Sequence, residues 1–593
     1  MKACVSAWVL RSNHYASRRP MLSKFRTFAV FNIVLFTCFI SAIGAQTALP
    51  KDKIFRQLYF QPGDWVTIGG TRYATCVAST FNMAYIGTLG GIIRYDIIRR
   101  QFLYPLTISD GLPENEIFLI GANSQSQLVW IITRHFICTF NPNTSRVQDV
   151  TPIEYLNVRD ASTLDAIGFG AGSVWLRSED RYWNSSLSYQ SFSPSELPKK
   201  ETIEWNNIPA SSEIASRSIF VSNESGYIFI PHSNLFQDRE LRQFPITGYL
   251  QDVNYNTWVT TAGAGAWFSN NGSSILSPLN YGLNASSVKA MAFDGADMWI
   301  GATANTLPGQ YPSELSGLTQ WNQKNDHFTY YFSSLHDNLA LNEITDIEAD
   351  ENYIWVGTTS GLNYLNKKSN QWTIAKTYSG LKDDHIIEIV PFQKGIIVAT
   401  ENGLHRSILT KKGIQFQPLE IPDLWNRHVL KILPSGNSIW LGTDNGIYRL
   451  DSSFTIQNHY TALGYDIPLN SLVNQVVPAI TEMANNLFFI STHSVLRFDK
   501  HKKEWESMPI SGSYLQSGVY DAIADEDNLW IGLADGALQY DFELQRWAYY
   551  NKKDGIGGYS VYKILPDGDY VWFATENGLT QFYWNAEHLR SQK

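Results

Sequence analysis

The chain has 593 residues, of which 17% are charged and 14% aromatic, with 41 Gly, 19 Trp, 4 Cys and a formal net charge of −9. That length exceeds one ordinary domain, and the composition excludes a disordered chain, a coiled coil and a disulfide-stapled miniprotein. A mean hydropathy of −0.20 with one strongly apolar stretch near the start also excludes a polytopic membrane protein.

Lys24 and Arg26 precede an apolar run from Phe28 to Ile43, closed by Gly44 and Ala45. A basic flank, an apolar core and a small-residue exit make a secretory signal peptide over residues 1–45, cut near Gly44 to Gln46. Met21 stands just ahead of this pattern, so residues 1–20 read as an extension from a mis-called start. The alternative is an uncleaved anchor, because about 18 apolar residues just span a bilayer. Thr37 is large for the residue before a lipidated cysteine, so no lipid anchor is expected at Cys38. Cleavage removes six basic residues and no acidic one, taking the formal charge from −9 to −15. An acidic exported body disfavours nucleic acid and anionic membrane as partners. Cys76 and Cys138 remain after cleavage; they read as small buried core residues, with a disulfide left open.

The rest of the chain repeats. Tyr353-Ile354-Trp355-Val356-Gly357-Thr358 recurs as Ser438-Ile439-Trp440-Leu441-Gly442-Thr443, as Asn528-Leu529-Trp530-Ile531-Gly532 and as Tyr570-Val571-Trp572-Phe573-Ala574-Thr575. Thr-Glu-Asn-Gly-Leu appears twice verbatim, at Thr400–Leu404 and Thr575–Leu579. With the central residue as a ruler, twelve copies fall at Tyr85, Trp130, Trp175, Tyr227, Trp258, Trp299, Trp355, Ile397, Trp440, Phe489, Trp530 and Trp572. The spacing of about 42 residues is that of propeller blades, and the gaps around Tyr227 are the least regular. Each copy reads as four short strands with Asn-Gly or Asp-Gly turns, as at Asn402-Gly403, Asn445-Gly446, Asp535-Gly536 and Asn577-Gly578. The expected fold is all-β: about twelve four-stranded β-propeller blades.

Gly63-Asp64-Trp65-Val66-Thr67-Ile68 resembles a fourth strand standing alone, while the last copy ends at Phe582-Tyr583-Trp584 without one. A strand at about 63–68 therefore closes the final blade. Twelve blades in one ring would leave a wide axial hole, so two propellers are expected, over 46–285 and 286–593. The blades divide seven plus five or six plus six.

Ser109-Asp110-Gly111-Leu112-Pro113-Glu114-Asn115-Glu116-Ile117 leading to Trp130, and Trp355-Val356-Gly357-Thr358 followed by Gly361-Leu362-Asn363-Tyr364-Leu365, resemble the two-component regulator propeller repeat. The resemblance covers about residues 60–585. It implies a bacterial protein related to the paired propellers with which hybrid histidine kinases sense carbohydrate, or to a two-propeller surface component of type IX secretion. The sequence carries no membrane helix, kinase or DNA-binding segment after the propellers and no type IX sorting domain, so a sensor or scaffold without a kinase is expected. Its implied place is periplasmic or extracellular, outer-membrane association included. The implied partners are a glycan or an envelope protein, with a sensor kinase or secretion component as a further one. No nucleic-acid partner and no membrane insertion beyond the leader are expected.

In such a blade the loop entering strand one and the loop joining strands two and three share a face. The residues twelve and thirteen before the ruler are then Asn342 and Glu343, Asp384 and His385, Arg427 and His428, and Tyr559 and Ser560; Asn474 and Gln475 precede the Phe489 copy. These residues form a polar, mixed-charge ligand-binding mouth, or they simply solvate it. An insertion from Thr303 to Gly317 carries Tyr311 and forms a lid over the same face or a surface decoration. The stretch from Trp183 to Trp205 is a second irregularity of that kind. The repeated Trp residues read as core packing rather than a sugar platform. His-Glu-x-x-His, phosphate-binding glycine loops, Gly-x-Ser-x-Gly and zinc-type cysteine clusters are absent from the sequence. A non-catalytic protein without cofactor or metal is expected; a polysaccharide lyase or hydrolase, or a structural subunit of a secretion or attachment complex, is the alternative.

Overall fold

The computed structural model describes residues 58–122, 128–187, 189–197, 202–206, 220–222, 225–271, 273–304, 315–334, 339–341, 343–411, 413–461, 475–510, 512–590 and 592. The expected leader at 1–45, Asn342 and residues 305–314 of the insertion, Tyr311 among them, lie outside them. The described residues from 58 onward fall in one compact unit, Ile54–Lys593. None of their helices is long and apolar enough to cross a membrane.

The protein is all-β and built from propeller blades. Apolar residues in short alternating or continuous runs, punctuated by glycine turns, fold into antiparallel hairpins. Among the described residues eleven sheets occur, nine of them four-stranded and antiparallel. Blade I comprises Ser287–Asp294, Asp297–Thr303, Gly317–Asn322 and His327–Phe332; blade II Ile344–Ala349, Tyr353–Thr358, Gly361–Asn366 and Gln371–Ala375. Blade III comprises Ile386–Phe392, Gly395–Thr400, Gly403–Thr410 and Gly413–Pro418; blade IV Val429–Ser435, Ser438–Thr443, Gly446–Asp451 and Ile456–Tyr460. Blade V runs through Ala479–Met483, Asn486–Ile490, Val495–Asp499 and Glu504–Met508, and blade VI through Val519–Ala524, Asn528–Leu533, Gly536–Asp541 and Arg546–Tyr550. Blade VII joins Val561–Asp567, Tyr570–Thr575 and Gly578–Phe582 to the distant strand Trp65–Ile68. The first strand of each blade packs on the first strand of the next, and that of VII on that of I, which completes a ring of seven sheets.

In the N-terminal part, Gln243–Gln251, Ala74–Ser79, Ile117–Gly121 and Ala166–Gly170 follow one another as neighbouring first strands. Tyr227 does not head a four-stranded sheet of its own. Its strand, Tyr227–Ile230, pairs with Leu235–Asp238, which pairs onto Gln243–Gln251, so this copy and the Trp258 copy share one seven-stranded sheet. The twelve ruler positions therefore occupy eleven sheets. The irregular gaps around Tyr227 have this cause: too few residues separate it from Trp258 for a full blade. Trp205 lies on Glu204–Asn206, a fifth strand on the inner edge of Ala166–Gly170.

The ruler residues are core. Trp130, Trp258, Trp299, Trp355, Trp440, Trp530 and Trp572 are all buried. Trp355 packs with Ile389 and Val398 of blade III, Trp440 with Leu487 and Phe489 of blade V, and Trp530 with Val571 and Phe573 of blade VII. Bulky residues at this position, mostly aromatic and Ile397 in blade III, thus fill the space between neighbours. Cys76 and Cys138 are buried free thiols in one cluster, and burial pushes both up to about 12.

Inside the ring, polar side chains of the first strands satisfy backbone groups of the next blade. Asp346 accepts a hydrogen bond from Ile389 N (2.9 Å), Glu388 accepts from Ile432 N, Thr481 from Ala524 N (2.9 Å) and Asp521 from Ile564 N (3.0 Å). Two lysines neutralise these carboxylates: Lys431 Nζ lies 2.7 Å from Glu388, and Lys563 Nζ 3.3 Å from Asp346. Burial alone would lower the Lys563 pKa, but Asp346, Asp521, Glu348 and Glu388 outweigh it and hold the ammonium above its ordinary range. Pairing of this kind offsets the cost of burying charge.

Candidate ligand-binding site

The mouth is assembled by a backbone contact that repeats from blade to blade. The residue opening the loop between strands two and three donates its N–H to the carbonyl of the residue leading into strand one. Thr359 bonds Glu343 (3.0 Å), Glu401 bonds His385 (3.3 Å), Asp444 bonds His428 (3.2 Å) and Ala534 bonds Gly518 (3.0 Å). In blade VII the Glu576 side chain does the same work, accepting from Tyr559 N and Ser560 N. Both sets of loops therefore lie on one face.

His385, His428 and Glu401 meet there. Glu401 Oε1 lies 3.4 Å from His385 Nδ1, and Glu401 Oε2 lies 3.1 Å from His428 Nδ1. All three remain partly exposed, so the carboxylate bridges two imidazoles while their other edges face solvent. Arg427 lies beside Tyr448; burial raises that phenol's pKa and the guanidinium opposes the rise. Asp384 serves its own loop by accepting from Thr377 N (2.9 Å). Its neighbour Asp383 accepts from His385 N and Asn402 Nδ2, which fixes the backbone under His385.

The other expected residues stand apart. Glu343 is exposed and contributes its carbonyl bond. Gln475 accepts from Gly446 N through its carbonyl (3.0 Å), one loop beyond His428. Tyr559 is 59% exposed with Lys552 Nζ 4.9 Å from its ring centroid. Among the described residues no hydrogen bond or ion pair joins the side chains of Glu343, Gln475 or Tyr559 to the Glu401 group.

Next to Glu401 a recess of about 350 Å³ is lined by Lys382, Asn402, Leu419, Glu420, Leu424 and Trp425. Lys382 and Glu420 pair across it at 2.9 Å, and Trp425 stands at its rim 65% exposed. Beneath it His405 Nε2 accepts from Lys382 N, and burial, with Lys382 adding to it, pushes His405 down to about 4. That imidazole is neutral at physiological pH and structural. Among the described residues no group of three or more His, Cys, Asp or Glu side chains is arranged to hold a metal.

The offsets from the ruler do not reach Glu401, Glu420 or Trp425. Glu401 does carry a signal, as the second residue of the repeated Thr-Glu-Asn-Gly-Leu string. Trp425 carried no signal, because nothing in the repeat distinguishes an exposed indole from the buried ones.

Fold and site together define a β-propeller protein with a polar, aromatic-edged mouth. No family model and no curated protein matches the sequence. Among solved structures the chain is similar to the extracellular domain of a hybrid two-component system of B. thetaiotaomicron, at 14% identity over 87% of this chain and 70% of that one, TM-score 0.42. It is also similar to PorZ, described as an essential surface component of the type-IX secretion system of Porphyromonas gingivalis, at 12% identity over 86% and 74%, TM-score 0.43. The WD40 domain of Neurospora crassa Pan2 matches at 10% identity over 50% and 88%, TM-score 0.35.

Proposed function

We propose that the chain is an exported, non-catalytic binding or scaffold protein of a bacterial envelope, which recognises a glycan or a partner protein through the mouth of the 286–593 propeller. The 46–285 region forms the second propeller in this reading. The observation that carries it is the Glu401 bridge between His385 and His428, beside the Trp425 recess. Imidazole edges, a shared carboxylate and a guanidinium offer donors and acceptors, and an exposed indole offers a flat apolar face; such sets recognise polar ligands without chemistry.

A glycan array with residues 46–593 tests the reading. Saccharide binding that is lost in Glu401→Ala and His428→Ala supports glycan recognition at the mouth. Envelope proteins retained by the wild type and released by the same variants support the scaffold form. Product released from an incubated polysaccharide, or binding unaffected by both variants, overturns the proposal.

A further inference from the structure

A groove of about 970 Å³ lies away from the mouth, where the strand Tyr227–Ile230 and the turn at Asp238–Arg242 face the outermost strand of blade I and Trp372 of blade II. Arg72 lies at its base and is only 4% exposed. Its Nη2 donates to Tyr227 Oη (2.9 Å), its guanidinium lies 4.9 Å from the Tyr330 ring centroid, and its Nε has no hydrogen-bond partner among the described residues.

The carboxylates of this groove are already committed. Asp238 accepts from Arg242 Nε (2.6 Å) through Oδ2 and from Glu240 N and Arg242 N through Oδ1. Glu240 accepts from Ser334 Oγ (2.9 Å). Among the described residues no carboxylate lies within ion-pair distance of Arg72 or of Arg239, which is exposed on the rim. A buried guanidinium without a counter-charge is costly, and it biases the space above it toward an anion. The walls supply flat apolar surface: Tyr330 stacks on Phe332, and Tyr331 packs edge-on to Trp372.

We propose that this groove binds a small organic oxyanion, a carboxylate, sulfate or phosphate carried on a flat ring. The oxyanion is held between Arg239 and the Arg72–Tyr227 pair, and the ring lies against the aromatic wall. Arginine suits all three head groups, because its planar donors match two oxygens at once. This site is independent of the mouth, so failure of either leaves the other standing.

The test is calorimetric titration of the purified protein with benzoate, phenyl sulfate and phenyl phosphate, with benzyl alcohol as the neutral control. At least one anion is expected to bind one-to-one, and the neutral control not at all. The preferred anion identifies the head group. Arg239→Ala is expected to weaken binding about tenfold or more, the loss of one charge-assisted contact. Arg72→Gln is expected to abolish it; if that variant does not fold, Arg239→Ala decides alone. Binding of none of the three anions at millimolar concentration, equal binding of benzyl alcohol, or wild-type affinity in a folded Arg239→Ala variant overturns the proposal.

Discussion

At the scale of single residues, the ring's interior makes the sharpest statement. Burial, with Asp346 beside it, pushes the Glu348 carboxyl from the ordinary 4.5 up to about 7. Between those values the folded chain keeps a proton that the unfolded chain has released, so stability falls as pH rises through this window. Above pH 7 the whole penalty is present. Glu348→Gln removes it, and is expected to stabilise the protein by about 1–2 kcal/mol at pH 8 and to leave it unchanged at pH 4. Thermal melts at the two pH values check this; equal shifts at both would show that the carboxylate is not the cause. Lys563→Met acts in the opposite direction. It strands buried Asp346 without its counter-charge and is expected to cost about 3 kcal/mol in urea denaturation at neutral pH. Neither residue was legible in the sequence. A charge in a short strand reads as a solvent-facing position, and only the ring turns it toward an interior where lysines and carboxylates of different blades face one another.

At the scale of elements, the strand Trp65–Ile68 has the largest consequence. It pairs antiparallel with Gly578–Phe582, placing Trp65 opposite Phe582 and Ile68 opposite Leu579. The Trp65 and Phe582 rings stack at 3.9 Å, and Asp64 is gripped by His588 at 2.8 Å. Gly578 has φ +127°, and a Cβ there would meet the Ile68 carbonyl oxygen at 2.5 Å. Trp65→Ala is expected to cost about 3–5 kcal/mol, through the cavity and the lost stacking. Gly578→Ala is expected to cost about 1–3 kcal/mol, because the strained residue also pushes the strand away. Denaturation curves measure both, and a Trp65→Ala curve that overlays the wild type would show that the pairing does not hold the ring. Nearby, Gly69 and Gly90 touch so closely that a Cβ on Gly69 would lie 2.2 Å from the Gly90 oxygen. This element was readable because an unpaired fourth strand at one end answered a missing one at the other. The Tyr227 region was not. Its strands satisfy one another's edges within a shared sheet, and a period counted from aromatic residues cannot distinguish that from a separate blade.

For the whole molecule, repetition makes the architecture visible, because most blades share a bulky ruler residue and a glycine turn. Seven strong copies from Trp299 to Trp572 correspond to the seven sheets of the ring. The repeat also indicates which loops share a face, since they stand at fixed distances from the ruler. It did not reveal which side chains meet there. The offset places His385, Arg427 and His428 on that face, whereas Glu401, which lies against the two imidazoles, and Trp425, which edges the neighbouring recess, depend on how successive loops cross. The groove above Arg72 joins segments more than 150 residues apart, as the Arg72–Tyr227 bond shows, and has no linear signature at all. The most direct measurement of the central claim is the affinity of residues 46–593 for the best glycan or envelope-protein ligand, compared between the wild type and Glu401→Ala. The account predicts a loss of about tenfold or more in the variant with an unchanged melting curve; equal affinities in two equally folded proteins would contradict it.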